Sequence, residues 1–234
     1  GETAKNEKFL RDIDDYIIFE NKDFFVVNKP AGLAMHSGTN VNCDIISSLK
    51  KIKNNSDAAP VNRLDKHTSG CMLISKNYQS AKDLGNCFKT SSVKKTYIAL
   101  LAGKLSKDEI TVNRALRTDK RKKNSSVFID NSGKSALSTF HVKKYFTSCT
   151  LVDVSIQTGR THQIRVHASS INHPICGDTK YGDKLINSTF RKIGLNRIFL
   201  HSSHLSFYYK KHYSFKSPLP NELSILIENL GNEL

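Results

Sequence analysis

The sequence predicts an α+β fold, with a mixed, mainly antiparallel central sheet flanked by helices and loops. Three features lead there. Short runs rich in β-branched and aromatic residues lie close together across polar turns, as in Tyr16-Ile17-Ile18-Phe19 and Phe24-Phe25-Val26-Val27 on either side of Glu20-Asn21-Lys22-Asp23. A second set of segments carries the i, i+4, i+7 apolar spacing of helices, with capping residues ahead of it. The two kinds alternate irregularly, with hairpin-like pairs rather than a strict strand–helix–strand repeat.

Taken in order, residues 1–12 are polar and read as a loosely held tail, and 13–234 as one domain. Asn28-Lys29-Pro30-Ala31-Gly32 breaks the second strand and opens a loop through Gly38. Residues 44–53 suit a short amphipathic helix, with Asp44 as N-cap before Ile45, Ile46 and Leu49. A buried strand is expected over 70–75. Asn77 then caps a helix through about Phe88, with Ala81, Leu84 and Phe88 on one face. Residues 96–101 form a further strand. The run Lys120-Arg121-Lys122-Lys123 carries too much like charge for a core, so 117–126 is a loop or hairpin tip. Strands return over 136–145 and 149–157. Ile164 and Val166 would alternate in a strand, but Ile164, Ala168 and Ile171 keep helical spacing, Thr161 can cap, and Pro174 ends the segment. Residues 197–209 read as strand, and 220–230 as helix after Pro218 and Pro220.

Composition narrows the partner. Thirty-six Lys and Arg against 21 Asp and Glu leave a formal charge of +15. The self-repulsion of such an excess would be relieved by a polyanion, nucleic acid first, although a lysine-rich surface alone has the same composition. No apolar run reaches the roughly 18 residues of a membrane span, and the start lacks a signal-peptide profile. The 5 cysteines are scattered, with no Cys-x-x-Cys pair, so neither a zinc site nor a disulfide framework is expected and a reducing cytoplasm fits. His162 with His167, and His201 with His204, lie close in sequence but lack the carboxylate or thiolate pattern of a metal site, so no metal is expected.

Three residues carry candidate chemistry. Asp65 lies in Arg63-Leu64-Asp65-Lys66-His67-Thr68-Ser69-Gly70, where neighbouring cations favour an ionised carboxylate able to act as nucleophile or base. A surface aspartate balancing those cations would look the same. Arg165 offers a planar, permanently charged fork for a carboxylate or phosphate, or is an exposed helix arginine. Tyr97 could face a cleft or the core from its strand.

Together these segments resemble the RluA-type pseudouridine synthases. The resemblance is carried by Asn28-Lys29-Pro30-Ala31-Gly32, by Arg63-Leu64-Asp65 with Thr68-Ser69-Gly70, by Lys95-Thr96-Tyr97, and by Gly159-Arg160-Thr161-His162-Gln163-Ile164-Arg165-Val166-His167. His173-Pro174, Gly177-Asp178 and Tyr181-Gly182-Asp183 follow in the family's order. The resemblance implies Asp65 as the catalytic aspartate, Tyr97 as a stacking partner for the target uracil, and Arg165 as the partner of Asp65. It implies RNA contacts for Arg63, Lys29, Arg160, His162 and Gln163, and the basic run Lys120, Arg121, Lys122 and Lys123 would track phosphates. The cluster Tyr208-Tyr209-Lys210-Lys211-His212-Tyr213 reads as a second such surface with interleaved aromatics. It further implies a cytoplasmic monomer acting on large-subunit ribosomal RNA without cofactor. One departure is Asn62, where the family usually has His. A non-catalytic RNA-binding module would explain the charge but not the matched blocks. A glycoside hydrolase would need a second carboxylate, for which no motif appears.

Overall fold

The computed structural model describes residues 12–34, 44–90, 92–119 and 126–232. The chain packs as two compact units, each discontinuous in sequence: Gly1–Lys94 with Ser202–Pro218, and Lys95–His201 with Leu219–Leu234.

The first unit opens with a 3-10 turn at Ile13–Tyr16 and the antiparallel pair β1 (Ile17–Glu20) and β2 (Phe24–Lys29). Their turn is closed by Asn21, whose side-chain oxygen accepts from the amides of Asp23 and Phe24 at 2.8 and 2.9 Å. Helix α1 (Ile45–Ile52) starts where Asp44 accepts from the Ser47 amide at 2.8 Å. After β3 (Ala59–Pro60), β4 (Ser69–Ser75) pairs with β2 from Phe24↔Ser75 to Lys29↔Gly70. All residues of β4 are buried, which is why it reads as a continuous apolar run rather than an alternating one. Asn77 and Ser80 form a reciprocal capping box for α2 (Tyr78–Cys87).

The second unit carries β5 (Lys94–Ala102), β6 (Glu109–Asn113), the hairpin β7 (Leu116–Asp119) and β8 (Ser126–Ile129), then β9 (Leu137–Tyr145) and β10 (Cys149–Ile156). Four of these form an antiparallel sheet in the order β5-β10-β9-β6. Helices α3 (Gln163–Ser170) and α4 (Lys184–Lys192) follow. Strand β11 (Leu200–Tyr209) begins in the second unit and ends in the first, where β12 (Lys211–Lys216) pairs with it. Helix α5 (Asn221–Gly231) belongs to the second unit. The α+β class with mainly antiparallel strands is as the sequence predicts. No helix among the described residues is long and apolar enough to cross a membrane.

Several local expectations change. Helix α3 is entered from His162 rather than Thr161; His162 lies in the left-handed region at φ 55° and makes no side-chain cap. Residues 197–199 precede β11 rather than forming part of it. Helix α4 and strand β6 are additions. The segment expected to present interleaved aromatics is the β11–β12 hairpin, and its aromatics divide. Tyr208 is exposed, but Tyr209 is buried against Phe24 and Tyr213 packs on Phe207 and Phe215. The ring-stacking surface expected there is therefore largely the core of the first unit. Burial, not reactivity, governs Cys71, whose thiol is pushed up to about 12. The basic run Lys120–Lys123 lies outside the described residues.

Helix α3 is tied to its sheet by a polar network. Gln163 is buried, and its amide group donates to the Leu137 carbonyl at 2.9 Å and the Ser138 hydroxyl at 3.0 Å. Its oxygen accepts from the Thr158 hydroxyl at 2.6 Å and the Arg160 amide at 3.1 Å. One turn on, His167 lies 2.9 Å from the Arg114 carbonyl through Nε2 and 2.9 Å from the Ser138 hydroxyl through Nδ1. A carbonyl only accepts, so Nε2 carries the proton and Nδ1 accepts from Ser138; the imidazole is neutral. Burial lowers the His167 pKa, the Arg114 carbonyl opposes this, and the Arg114 charge adds to the lowering. Below about 6.5 the unfolded chain gains a proton that the folded state resists, so stability falls as pH drops through that window. Urea midpoints should decline from pH 7 toward 5.5, and the decline should be shallower in His167→Gln.

Candidate active site

Asp65 sits in the first unit on a turn closed by the Thr68 amide donating to the Asp65 carbonyl at 3.1 Å. Its side chain is half-buried, while Arg63, Lys66 and His67 are exposed. Leu64, Thr68 and Ser69 are buried and anchor the turn on both sides. Gly70 follows at φ 112°, where a Cβ would lie 2.1 Å from the Ser202 carbonyl oxygen; β11 approaches too closely for any side chain. The turn is thus bounded by a backbone contact that only glycine allows.

The Lys66 carbonyl fastens this turn to the end of β2 and the Pro30–Gly32 segment after it; β2 runs on through Asn28 and Lys29, where the sequence predicts a break. The carbonyl accepts from the Gly32 amide at 2.8 Å and from Lys29 Nζ at 2.9 Å. Lys29 Nζ also donates to the carbonyls of Leu33 at 2.8 Å and Pro30 at 3.0 Å, with the side chain fully buried. This corrects the expected RNA contact for Lys29: an ammonium withdrawn from solvent and pointed at three carbonyls braces the loops and cannot reach a phosphate. Asn62 has a comparable duty, its side-chain oxygen accepting from the Leu73 amide at 2.7 Å. What Asn62 supplies here is an acceptor lone pair, a duty that needs no titrating group.

In the second unit, Tyr97 and Lys95 share one face of β5, paired with Val154 and Ile156 of β10. Tyr97 is 6 % exposed, so its ring is largely enclosed. Lys95 is also buried. Its pKa is lowered by burial first and then by the charge of Arg160. Arg160 itself is exposed, with Nε donating to the Ser135 carbonyl at 3.0 Å. Gln163, expected to face RNA, is spent on the network described above, a second correction with burial as its cause.

Arg165 leaves α3 with a 13 % exposed side chain and makes a side-on fork with Asp178. Nε donates to Oδ2 and Nη2 to Oδ1, both at 2.8 Å. The Asp178 side chain is 1 % exposed. Burial would raise its pKa, but the bond and charge of Arg165, with the Tyr181 and Lys180 amides, outweigh that and hold the carboxyl below its usual range. The Tyr181 ring lies beside the guanidinium, 5.1 Å from its central carbon. The Tyr181 hydroxyl accepts from the Val127 amide at 3.1 Å and lies 2.7 Å from His162 Nδ1. His162, expected on RNA, is half-buried in this arrangement. Asp178, Tyr181 and Lys95 carry no assigned role in the sequence reading. The blocks Gly177-Asp178 and Tyr181-Gly182-Asp183 stand out in the sequence, but not what they hold.

Among the described residues, no group of three or more His, Cys, Asp or Glu side chains could hold a metal ion. Within its own unit, Asp65 lies half-buried on a hydrogen-bonded turn, while in the other Tyr97 is enclosed and the Arg165 guanidinium is paired with Asp178.

Comparison with known proteins places the chain in a class. The profile of the family described as RNA pseudouridylate synthase matches residues 23–170, a span that contains Asp65, Tyr97 and Arg165. The chain belongs to that family, enzymes that isomerise uridine in RNA. It is 34 % identical to a ribosomal large subunit pseudouridine synthase C from Buchnera aphidicola, covering 93 % of this chain and 71 % of the relative. It is 35 % identical to the uncharacterized RNA pseudouridine synthase YlyB of Bacillus subtilis, covering 94 % and 73 % respectively. The fold is that of human RNA pseudouridylate synthase domain containing 4, with a TM-score of 0.77 at 23 % identity over 98 % of both chains.

The Lys29 brace has a measurable consequence. Lys29→Met keeps the length of the side chain but removes every donor, leaving buried carbonyls short of a partner at about 1–3 kcal/mol for the least compensated of them. Chemical denaturation should show a loss of about 2–3 kcal/mol, whereas a surface lysine would change stability by less than about 0.5 kcal/mol.

Proposed function

We propose that this chain converts specific uridines of large-subunit ribosomal RNA to pseudouridine, with Asp65 as the essential nucleophile or base. The observation that carries this reading is the family match over residues 23–170, a span that includes Asp65 on its hydrogen-bonded turn. The similarity to proteins named ribosomal large subunit pseudouridine synthase C supports the choice of RNA. Residues 13–234 act as the catalytic module, in the cytoplasm and as a monomer.

The atom balance suits the side chains available. The bond from C1′ to N1 of the uracil breaks, the base turns, and C1′ joins C5. The proton on C5 is lost and N1 gains one, so nothing leaves and the balance calls for no cofactor or metal. The target uridine must first leave its stack, which costs a few kcal/mol and is offset by contacts to the extruded base and to the backbone. Asp65 then acts at the sugar or the base, Arg165 supplies the positive charge that keeps a carboxylate ionised, and Tyr97 supports the uracil as it turns. Arg63 and Arg160, both exposed, are the cations we assign to the RNA backbone, and we assign His162 at the entry of α3 to RNA as well. Lys120, Arg121, Lys122 and Lys123 would add to the phosphate contacts.

The decisive measurement is product analysis on a ribosomal RNA transcript. Wild type should yield pseudouridine and no free uracil; release of uracil would point to a hydrolase, and unchanged RNA to a binding protein. Asp65→Ala and Asp65→Asn should abolish isomerisation while RNA affinity stays within about 3-fold of wild type. Turnover by a clean Asp65→Ala preparation would remove Asp65 from the mechanism.

A further inference from the structure

We propose that Asp178 and Tyr181 are positioning residues that set the orientation of Arg165 for the reaction, an inference that rests on Arg165 taking part in it. The side-on fork fixes the guanidinium within its own plane, because both carboxylate oxygens are engaged at 2.8 Å. The Tyr181 ring limits its tilt from one side, 5.1 Å from the central carbon. Both holders are themselves held. Asp178 Oδ1 accepts from the amides of Lys180 at 2.9 Å and Tyr181 at 3.0 Å, so the carboxylate cannot swing. Its backbone is pinned by Asn187, which donates to the Asp178 carbonyl and accepts from the Gly177 amide, each at 2.8 Å. Gly177, at φ 80°, has room for no Cβ: one would lie 2.1 Å from the Arg197 carbonyl oxygen.

Tyr181 is fixed by its hydroxyl. Because that oxygen accepts from the Val127 amide, its own proton can go to Nδ1 of His162, the residue that enters α3. His162 adopts a left-handed backbone that a non-glycine residue holds only at a cost of about 1–3 kcal/mol. The helix that carries Arg165 therefore begins at the residue that fixes the ring beside Arg165.

Stability alone does not call for this arrangement. A buried ion pair is often matched or bettered by apolar residues of the same volume, because desolvation cancels most of the attraction. An oriented charge is what an apolar pair could not provide. The fork takes the Nε–Nη2 edge of the guanidinium, so the Nη1 edge is directed away from Asp178 and is the edge we assign to the reacting groups.

Single-turnover kinetics of the full chain on an RNA transcript test this. Asp178→Asn should lower the rate at saturating RNA by roughly 10- to 100-fold, the scale of a misplacement near 1 Å, with RNA affinity within about 3-fold of wild type. In an Arg165→Lys background the same change should cost less than about 2-fold, because a residue acting through Arg165 has nothing further to misplace. A wild-type rate for Asp178→Asn, or an equal loss in both backgrounds, would overturn the proposal. Should Asp178→Asn fail to fold, Tyr181→Leu keeps the ion pair and should lose roughly 3- to 10-fold in rate with the same non-additivity; a wild-type rate or an additive loss there would also overturn it. A wild-type rate for Arg165→Ala would instead show that the underlying assignment of Arg165 had failed.

Discussion

A guanidinium and a carboxylate nearly withdrawn from water must find all their partners within the protein, because each unpaired charge would cost several kcal/mol. In the second unit that requirement falls on Arg165 and Asp178, and much of the surrounding structure follows from it. The Asp178 carboxylate needs the Lys180 and Tyr181 amides, which requires a tight loop. The loop needs a glycine at 177 and a side chain that satisfies both its carbonyl and its amide, which Asn187 does from α4. The preceding residues are laid along β5, where the Ala102 amide donates to the Pro174 carbonyl and the Cys176 amide to that of Leu100. The arginine is thus referred to the sheet through a short, fully bonded path.

The first unit meets the same rule with different groups. The turn that carries Asp65 lies outside helix and strand, so its carbonyls need partners that regular structure does not supply. Lys29 provides three donors from a fully buried side chain, and Asn62 provides an acceptor for the Leu73 amide. Charged and polar side chains here substitute for a hydrogen-bond ladder, and they do so just ahead of Gly70, where β4 begins against the Ser202 backbone.

Two residues expected to contact RNA, Lys29 and Gln163, are absorbed by this internal bonding. Both sit in segments that match the family, and a basic or amide side chain in a nucleic-acid enzyme invites assignment to the ligand. The sequence cannot distinguish an ammonium that faces phosphate from one that faces three carbonyls, since the difference lies in where neighbouring loops place their oxygens. The aromatic cluster at the β11–β12 hairpin is a similar case. Its alternation sends Tyr209 and Tyr213 inward, and the count of aromatics says nothing about that.

By itself, the sequence determined whatever depends on neighbours along the chain. The caps at Asp44 and Asn77 sit where short polar side chains meet their own helix amides, and β4 is recognisable because burial on both faces demands a continuous apolar run. Ordered motifs likewise sufficed for the family and for Asp65, Tyr97 and Arg165 as candidates. Tertiary structure alone decided the partners: Asp178 for Arg165, Asn187 for Asp178, the Lys66 carbonyl for Lys29. It also decided the entry to α3, where His162 rather than Thr161 stands at the N-cap, with a left-handed backbone and its ring on the Tyr181 hydroxyl. Each of these depends on atoms brought within about 3 Å from distant parts of the chain, and one-dimensional spacing does not encode such distances.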